Sequence, residues 1–307
     1  MRPMLYMASD KPVLFYWDKS GSEAGIRGRM LDVEGRISGA SLPLGAARAG
    51  TYWPSVQPSG NGFAVLWQDD RDGNDDLFFR RFSSALIAES AELRLTDFNP
   101  QKGHRAAVGY PSFALASDAL VASYRLERDK DRSLMLMRLS LGAPELRNGL
   151  DEKTEGGRAD RELGQTSVVS TDRPDVPSVA CGKEGCFVGW HVEGGGASIA
   201  SFDPVKGTVL WRKQFVRKGG RPALATGPEG DVAVAYYEDG RVKLSLVSRD
   251  GVAPFSTFAR VIGDPARPYL SAGKSRGEWY VGWLDIEGVG TPQAHTEPFV
   301  ARLLCPR

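Results

Sequence analysis

Four groups of residues carry types and spacings that could do chemistry. Tyr236-Tyr237-Glu238 sets phenols beside a carboxylate, a pairing that can open a glycosidic bond through a tyrosine nucleophile. Asp69-Asp70-Arg71-Asp72 gathers three carboxylates in four positions. Calcium could use them, but the arginine inside the run makes acid–arginine pairing within a hairpin the simpler arrangement. Cys181 and Cys186 bracket Gly182-Lys183-Glu184-Gly185, a turn-sized spacing. Six residues stand directly before six prolines: Arg2, Trp53, Tyr110, Val176, Arg221 and Arg267. Three of them present guanidinium forks suited to carboxylates, and Trp53 and Tyr110 could stack on a sugar or a side chain. His104, His191 and His295 are scattered without metal-ligand spacing. No nucleophile elbow, phosphate loop or basic nucleic-acid stripe occurs. The residues therefore call for no cofactor and no metal.

The elements that must position these groups are short strands in repeat. Segments open at Pro3, Pro54, Pro111, Pro177, Pro222 and Pro268, each proline two residues before an apolar residue. An aromatic closes the β-rich run that follows: Trp17, Trp67, Tyr124, Trp190, Tyr236 and Trp283. Runs such as Phe63-Ala64-Val65-Leu66-Trp67 and Val232-Ala233-Val234-Ala235-Tyr236 hold no charge, as a strand covered on both faces requires. A third strand follows a polar turn, as in Val242-Lys243-Leu244-Ser245-Leu246-Val247, and a weaker fourth follows that, as in Leu93-Arg94-Leu95-Thr96. Four strands per repeat is the pattern of propeller blades. The expected fold is all-β, a six-bladed β-propeller spanning 1–307 as one domain. A four-stranded sheet cannot bury both faces alone, so radial packing buries them between neighbours, and the six aromatics read as core. The stretch Glu145 to Thr166 reads as an exposed loop between the third and fourth strands of blade 3. The sixth repeat supplies only three strands, so either that blade has three or a strand lies upstream of Met1.

Composition narrows the partners. The 307 residues carry a formal net charge of +1, so no global field recruits nucleic acid or a membrane surface. No apolar run is long enough for a transmembrane helix, and Met1 to Tyr6 lacks the apolar core of a signal peptide. The 36 Gly and 19 Pro punctuate many short strands.

Trp67-Gln68-Asp69-Asp70-Arg71-Asp72-Gly73 in the second repeat, and Cys181 with Cys186 in the fourth, resemble the repeat of secreted bacterial propellers related in architecture to sialidases. That repeat has a Trp-x-Asp-x-Arg-x-Gly turn and often a cysteine pair around the first hairpin. The resemblance implies the fold and an extracytoplasmic habitat, not one activity. The sialidase Ser-x-Asp-x-Gly-x-Thr-Trp box is absent, and Tyr236 and Glu238 occupy positions where every blade keeps an aromatic and an acid. The reading is therefore a non-catalytic binding or scaffold module that engages a protein partner or glycan on one face. The alternative is a sialidase-like glycoside hydrolase or lyase. The face expected to bind carries Arg2, Trp53, Tyr110, Arg221 and Arg267, rimmed by Asp70 and Arg71 from the turn between strands two and three. An anionic glycan or an acidic protein segment would suit it; pairing of the arginines with nearby acids is the bland alternative. Cys181 and Cys186 would face each other across a hairpin and bond in an oxidising compartment; two reduced core thiols is the other possibility. Cys305 has no obvious partner. Asp203-Pro204-Val205-Lys206-Gly207 resembles a quinoprotein strand-turn-strand but occurs once, so it marks a tight turn.

Overall fold

Each expected repeat folds as an antiparallel meander, and the six meanders make an all-β, six-bladed β-propeller. The computed structural model describes every residue except 1–3, 9–10, 20–23, 33, 46–49, 99–105, 117, 142–160, 163, 261–263, 266–267, 288–294 and 305–307. Blade 1 holds Met4–Ala8, Lys11–Asp18, Gly25–Met30 and Leu42–Pro43, and blade 2 holds Thr51–Ser59, Gly62–Asp69, Asp76–Phe82 and Leu93–Arg94. Blade 3 holds Ala106–Ala116, Ala119–Arg128, Asp131–Ser140 and Gln165–Ser170. Blade 4 is Pro174–Gly182, Gly185–Val192, Ala197–Asp203 and Thr208–Val216, and blade 5 is Gly219–Thr226, Val232–Glu238, Arg241–Ser248 and Gly251–Arg260. Within each blade the strands are called a to d in chain order. Blade 6 is three strands deep: Asp264–Pro265 and Tyr269–Ala272 share one edge of Glu278–Glu287, and His295–Leu304 takes the other. Among the described residues, no helix is long and apolar enough to cross a membrane.

The proline and the aromatic that mark the repeat lie opposite each other. In blade 2, Tyr52 pairs with Gln68 and Ser55 with Leu66, which leaves Trp53-Pro54 facing the single residue Trp67. Blade 4 sets Val176-Pro177 against Trp190, and blade 5 sets Arg221-Pro222 against Tyr236, by the same skip in register. Two residues against one is a β-bulge. Proline suits it because the bulge releases that position from the ladder hydrogen bond that proline cannot donate. In four blades the described residue before the opening proline turns into the left-handed region: φ is +50° at Trp53, +53° at Tyr110, +43° at Val176 and +57° at Arg221. The bulge of blade 5 also seats that blade on blade 4. A Cβ on Gly189 of blade 4 would stand 2.7 Å from Leu224 Cδ1 and 3.2 Å from Pro222 of blade 5, so only glycine lets these sheets approach so closely.

The strands divide into two compact units. The first comprises Met1–Leu120, Tyr124–Arg132 and Met137–Thr166; the second comprises Val121–Ser123, Ser133–Leu136 and Ser167–Arg307. In the first, Val13, Phe15 and Ile26 of blade 1 meet Val56, Phe63, Val65 and Trp67 of blade 2. In the second, Phe187, Ala197 and Ile199 of blade 4 meet Leu224, Val234 and Tyr236 of blade 5, and Ala235 and Leu244 of blade 5 meet Trp279, Val281 and Trp283 of blade 6. Of the repeat aromatics, Trp67, Tyr124, Trp190, Tyr236 and Trp283 are buried as core. Trp17 departs from that reading: it is half-buried and stacks on Tyr52. Most of the loop expected at Glu145 to Thr166 lies outside the described residues. Arg161–Glu162 within it pairs as a short strand with Thr96–Asp97.

Candidate functional site

The first unit gathers a row of aromatic rings where strand a of each blade begins. Trp17 closes strand b of blade 1, Tyr52 and Trp53 enter blade 2, and Tyr110 enters blade 3. Ring centroids lie 5.4 Å apart for Trp17–Tyr52, 5.9 Å for Trp17–Trp53 and 4.6 Å for Trp53–Tyr110. All four side chains are half-buried, so part of each ring faces solvent. Cations cover both ends: Lys19 Nζ lies 4.3 Å from the Trp17 ring and Arg125 Cζ 4.7 Å from the Tyr110 ring.

A phenol–carboxylate pair lies within this row. The Tyr52 hydroxyl donates a short hydrogen bond to Asp75 Oδ1, and Gln68 Nε2 donates to the same hydroxyl at 3.0 Å. Asp75 is 9 % exposed, and its backbone carbonyl is fixed by the amide of Val108. Burial raises the Tyr52 pKa well above the ordinary phenol value. The hydrogen bond to Asp75 and the negative charges of Asp75 and Asp70 raise it further, while the Gln68 contact opposes them. The phenol is thus protonated at neutral pH and bonded to the group that can take its proton.

The adjoining turn is held by acid–arginine pairs, as its sequence led us to expect. Asp69 accepts from the Arg71 amide at 2.9 Å, from Arg71 Nη2 at 2.7 Å and from Thr51 Oγ1 at 2.8 Å. Burial pushes the Asp69 carboxyl up, but the Arg71 and Thr51 contacts outweigh it and leave the pKa lowered. The other arm of Arg71 reaches Glu92 at 2.5 Å, and its guanidinium lies 4.0 Å from the Phe78 ring centroid. Behind it, Arg94 binds Asp72, Asp76 and Asp97 at 2.7, 2.5 and 2.9 Å. Among the described residues, no cluster of His, Cys, Asp or Glu has metal-holding geometry.

The second unit places Arg221 beside a histidine. His191 follows Trp190 in blade 4 and pairs across the strands with Asp175. Its Nδ1 is sealed from solvent with no hydrogen-bond partner. Burial lowers its pKa and the Arg221 charge lowers it further, against the pull of Asp175 and of the Gly196 and Gly219 carbonyls. Arg221 itself is exposed, at the end of Gly219-Gly220-Arg221, three successive residues with positive φ.

Of the residues expected to bind, Trp53 and Tyr110 are thus in ring contact, and Asp70 acts on Tyr52 beside them. Arg71 is engaged at both ends within its turn. Arg2 and Arg267 lie outside the described residues, as do His104 and Cys305. Cys181 and Cys186 are opposite each other in the blade 4 hairpin and joined by a disulfide. Asp203 Oδ1 accepts from the Val205 and Lys206 amides at 2.8 and 3.0 Å, the tight turn expected there. The Tyr236 hydroxyl is buried against Ser245 Oγ at 3.2 Å, and Glu238 is bound by Lys243 at 2.6 Å, so this pair serves the fold. The hydrogen-bonded phenol–carboxylate pair, Tyr52 with Asp75, escapes a motif search because 23 residues separate its members.

No protein-family model and no curated protein matches this chain. Solved structures do. A polysaccharide lyase, Uly1, superposes with a TM-score of 0.58 at 9% identity over 98% of this chain and 77% of its own. The Trypanosoma rangeli sialidase superposes with a TM-score of 0.54 at 10% identity over 97% of this chain and 54% of its own. This chain therefore spans about half the length of that sialidase. A subtype N10 neuraminidase-like protein of A/little yellow-shouldered bat/Guatemala/060/2010 gives 0.53 at 9% identity, covering 100% of this chain and 93% of its own. Identities this low establish the fold, a propeller of the sialidase-like architecture. They also correct the expectation of a non-catalytic binding or scaffold module: the propellers that resemble this one include a sialidase and a polysaccharide lyase, so the hydrolase-or-lyase alternative is the better supported. The disulfide is compatible with an extracytoplasmic location.

Proposed function

We propose that this chain acts as a single propeller domain outside the cytoplasm and is a sialidase-like glycoside hydrolase of acidic glycans. The observation that carries this reading is the hydrogen-bonded Tyr52–Asp75 pair inside a row of half-exposed aromatic rings. Asp75 takes the phenolic proton as Tyr52 Oη attacks the anomeric carbon, and a glycosyl–tyrosine bond forms as the glycosidic bond breaks. The departing oxygen takes its proton from solvent, and Asp70, whose charge already acts on Tyr52, lies beside the reacting pair. Water then hydrolyses the intermediate, and the proton returns through Asp75 to Tyr52. A neutral phenol is a suitable nucleophile for an anionic sugar because it does not repel the substrate as a carboxylate would. Trp53 and Tyr110 hold the sugar face, and Lys19 and Arg125 favour a negative substituent. Arg71 shapes the turn that presents Asp70, and Arg221 offers a separate anion contact in the second unit.

The test is a panel of umbelliferyl glycosides, acidic (sialosyl, glucuronosyl) and neutral. Fluorophore release from an acidic member, reduced at least about 100-fold in Tyr52→Phe with the melting temperature kept, supports the proposal. Release from neutral members alone, or an unsaturated uronate product made by elimination, contradicts it.

A further inference from the structure

The second unit holds a cleft at the opposite end of its strands from Arg221 and His191. The turns between strands a and b of three successive blades frame it: residues 183–184 of blade 4, 229–231 of blade 5 and 276–277 of blade 6. It encloses about 410 Å³ over an apolar floor of Phe187, Val232, Leu246 and Val247, a size and lining suited to a small molecule. One wall is fixed at several points. The disulfide between Cys181 and Cys186 closes the ring that carries Lys183 and Glu184. The Lys183 amide donates to the Gly230 carbonyl at 2.7 Å. A Cβ on Gly182 would stand 2.1 Å from that same oxygen, so only glycine lets the blade 4 turn seat on the blade 5 turn. Glu184 is anchored in its turn: its carboxylate accepts from the Arg249 amide at 3.0 Å, and its carbonyl accepts from Arg249 Nε at 3.2 Å. Arg276 pairs with Glu229 at 3.0 Å.

Two opposite charges in this lining are left over. Among the described residues the Lys183 ammonium has no ion-pair or hydrogen-bond partner. Asp231 Oδ1 is sealed from solvent and accepts no hydrogen bond, a state that costs free energy until a donor arrives. The two residues stem from turns in backbone contact, yet they do not bind each other. We infer that the cleft binds a free α-amino acid with an apolar side chain. The ligand carboxylate meets the Lys183 ammonium, the ligand ammonium supplies the donor that Asp231 lacks, and the side chain lies on Phe187, Val232 and Leu246. A ligand with one charge would leave the other protein group unpaired in a partly desolvated cleft, and a neutral apolar ligand would leave both. Glu184 and Glu229 are already engaged by Arg249 and Arg276, so Lys183 and Asp231 set the choice. The fixed wall holds them in place before the ligand arrives, which lowers the cost of binding. This site is independent of the hydrolase reading, whose reacting pair lies in the first unit.

The experiment titrates the full chain, by calorimetry and by NMR of the backbone amides, with L-leucine and L-phenylalanine. Three relatives of leucine each lack one feature: 4-methylpentanoate the ammonium, leucinamide the carboxylate, and glycine the side chain. The expected result is that leucine or phenylalanine binds with a Kd of about 1 mM or tighter. Binding moves the amide signals of residues 183–184 and 229–232, and each relative binds at least about tenfold more weakly. Lys183→Ala, at an exposed position, weakens leucine binding at least about tenfold and leaves leucinamide unchanged. Asp231→Asn, which keeps the shape of the side chain, weakens leucine binding and leaves 4-methylpentanoate unchanged. Absence of saturable shifts at these amides up to about 20 mM amino acid overturns the inference. So does equal affinity for 4-methylpentanoate or leucinamide, or leucine binding that Lys183→Ala does not alter.

Discussion

Trp53 and Tyr110 meet with ring centroids 4.6 Å apart and planes tilted by 55°, although they belong to different blades. Each sits one residue before a blade-opening proline with a left-handed backbone. The contact is therefore a product of the repeat: two identical backbone devices, one blade apart, aim two rings at one place. Trp53→Ala and Tyr110→Ala should each weaken binding of an acidic oligosaccharide by about 1 to 2 kcal/mol, the scale of one lost stacking platform. Calorimetric titration of the two single variants and the double variant checks this. Additive losses would mean that the rings act separately, whereas coupling should make the second loss the smaller.

The ion cluster behind the turn predicts a pH-dependent stability. Arg94 neutralises Asp72, Asp76 and Asp97, and burial pushes the Asp76 pKa up to about 6 even with Arg94 in place. With the folded pKa above the unfolded one, the native state holds the proton more tightly, so ionising Asp76 costs stability as pH rises from about 4 to about 6. Arg94→Gln removes the opposing charge and should cost about 3 to 5 kcal/mol at pH 7. The difference from the parent should shrink at pH 5, where Asp76 in the variant takes up its proton. Urea melts at both pH values test this; a pH-independent difference contradicts it.

His191 reports on Arg221. Its pKa is lowered by burial first and by the Arg221 charge second, so Arg221→Ala should move the imidazole titration upward towards the ordinary value of about 6.5. The sign for folding follows: with the folded pKa below the unfolded one, stability is lost as pH falls through about 6.5, and the variant should lose less of it. An NMR titration of the imidazole resonances, assigned with His191→Gln, measures the shift. An unmoved or lowered value would remove Arg221 from the histidine's surroundings.

The blade 4 hairpin predicts a thiol count. With Cys181 and Cys186 bonded, the denatured, unreduced protein should show one free thiol of the three cysteines in the sequence. Three free thiols would contradict the bond. Replacing both cysteines by alanine should destabilise by about 2 kcal/mol, the loop-closure entropy of so short a ring.

The fold was legible because its marks are local. In blades 2, 4 and 5 the opening proline lies opposite a strand b aromatic, so one bulge writes two signals a fixed distance apart, and the charge-free strands between them announce sheets covered on both faces. The turn at Asp69 to Gly73 was legible for the same reason, since Arg71 finds Asp69 two residues away. The candidate site is not local. Tyr52 meets Asp75 across two turns, and Trp17 meets Tyr52 and Trp53 across a blade boundary, where strand register decides the contact. The Tyr236–Glu238 pair drew attention by adjacency in sequence, yet the Tyr236 phenol is buried against Ser245 while Glu238, at the end of strand b, is bound by Lys243. The bulge could not be foreseen from Val176 or Trp53, whose side chains argue against a left-handed backbone.

The most direct measurement is the mass of a trapped intermediate. The protein is incubated with an acidic glycosyl fluoride carrying a second fluorine beside the anomeric carbon, which slows release of the covalent adduct, then digested and sequenced by tandem mass spectrometry. The predicted result is one glycosyl adduct on the peptide bearing Tyr52, absent in Tyr52→Phe. No adduct under conditions where acidic umbelliferyl glycosides are hydrolysed, or an adduct on any other residue, would contradict the assignment of Tyr52 and Asp75 as the reacting pair.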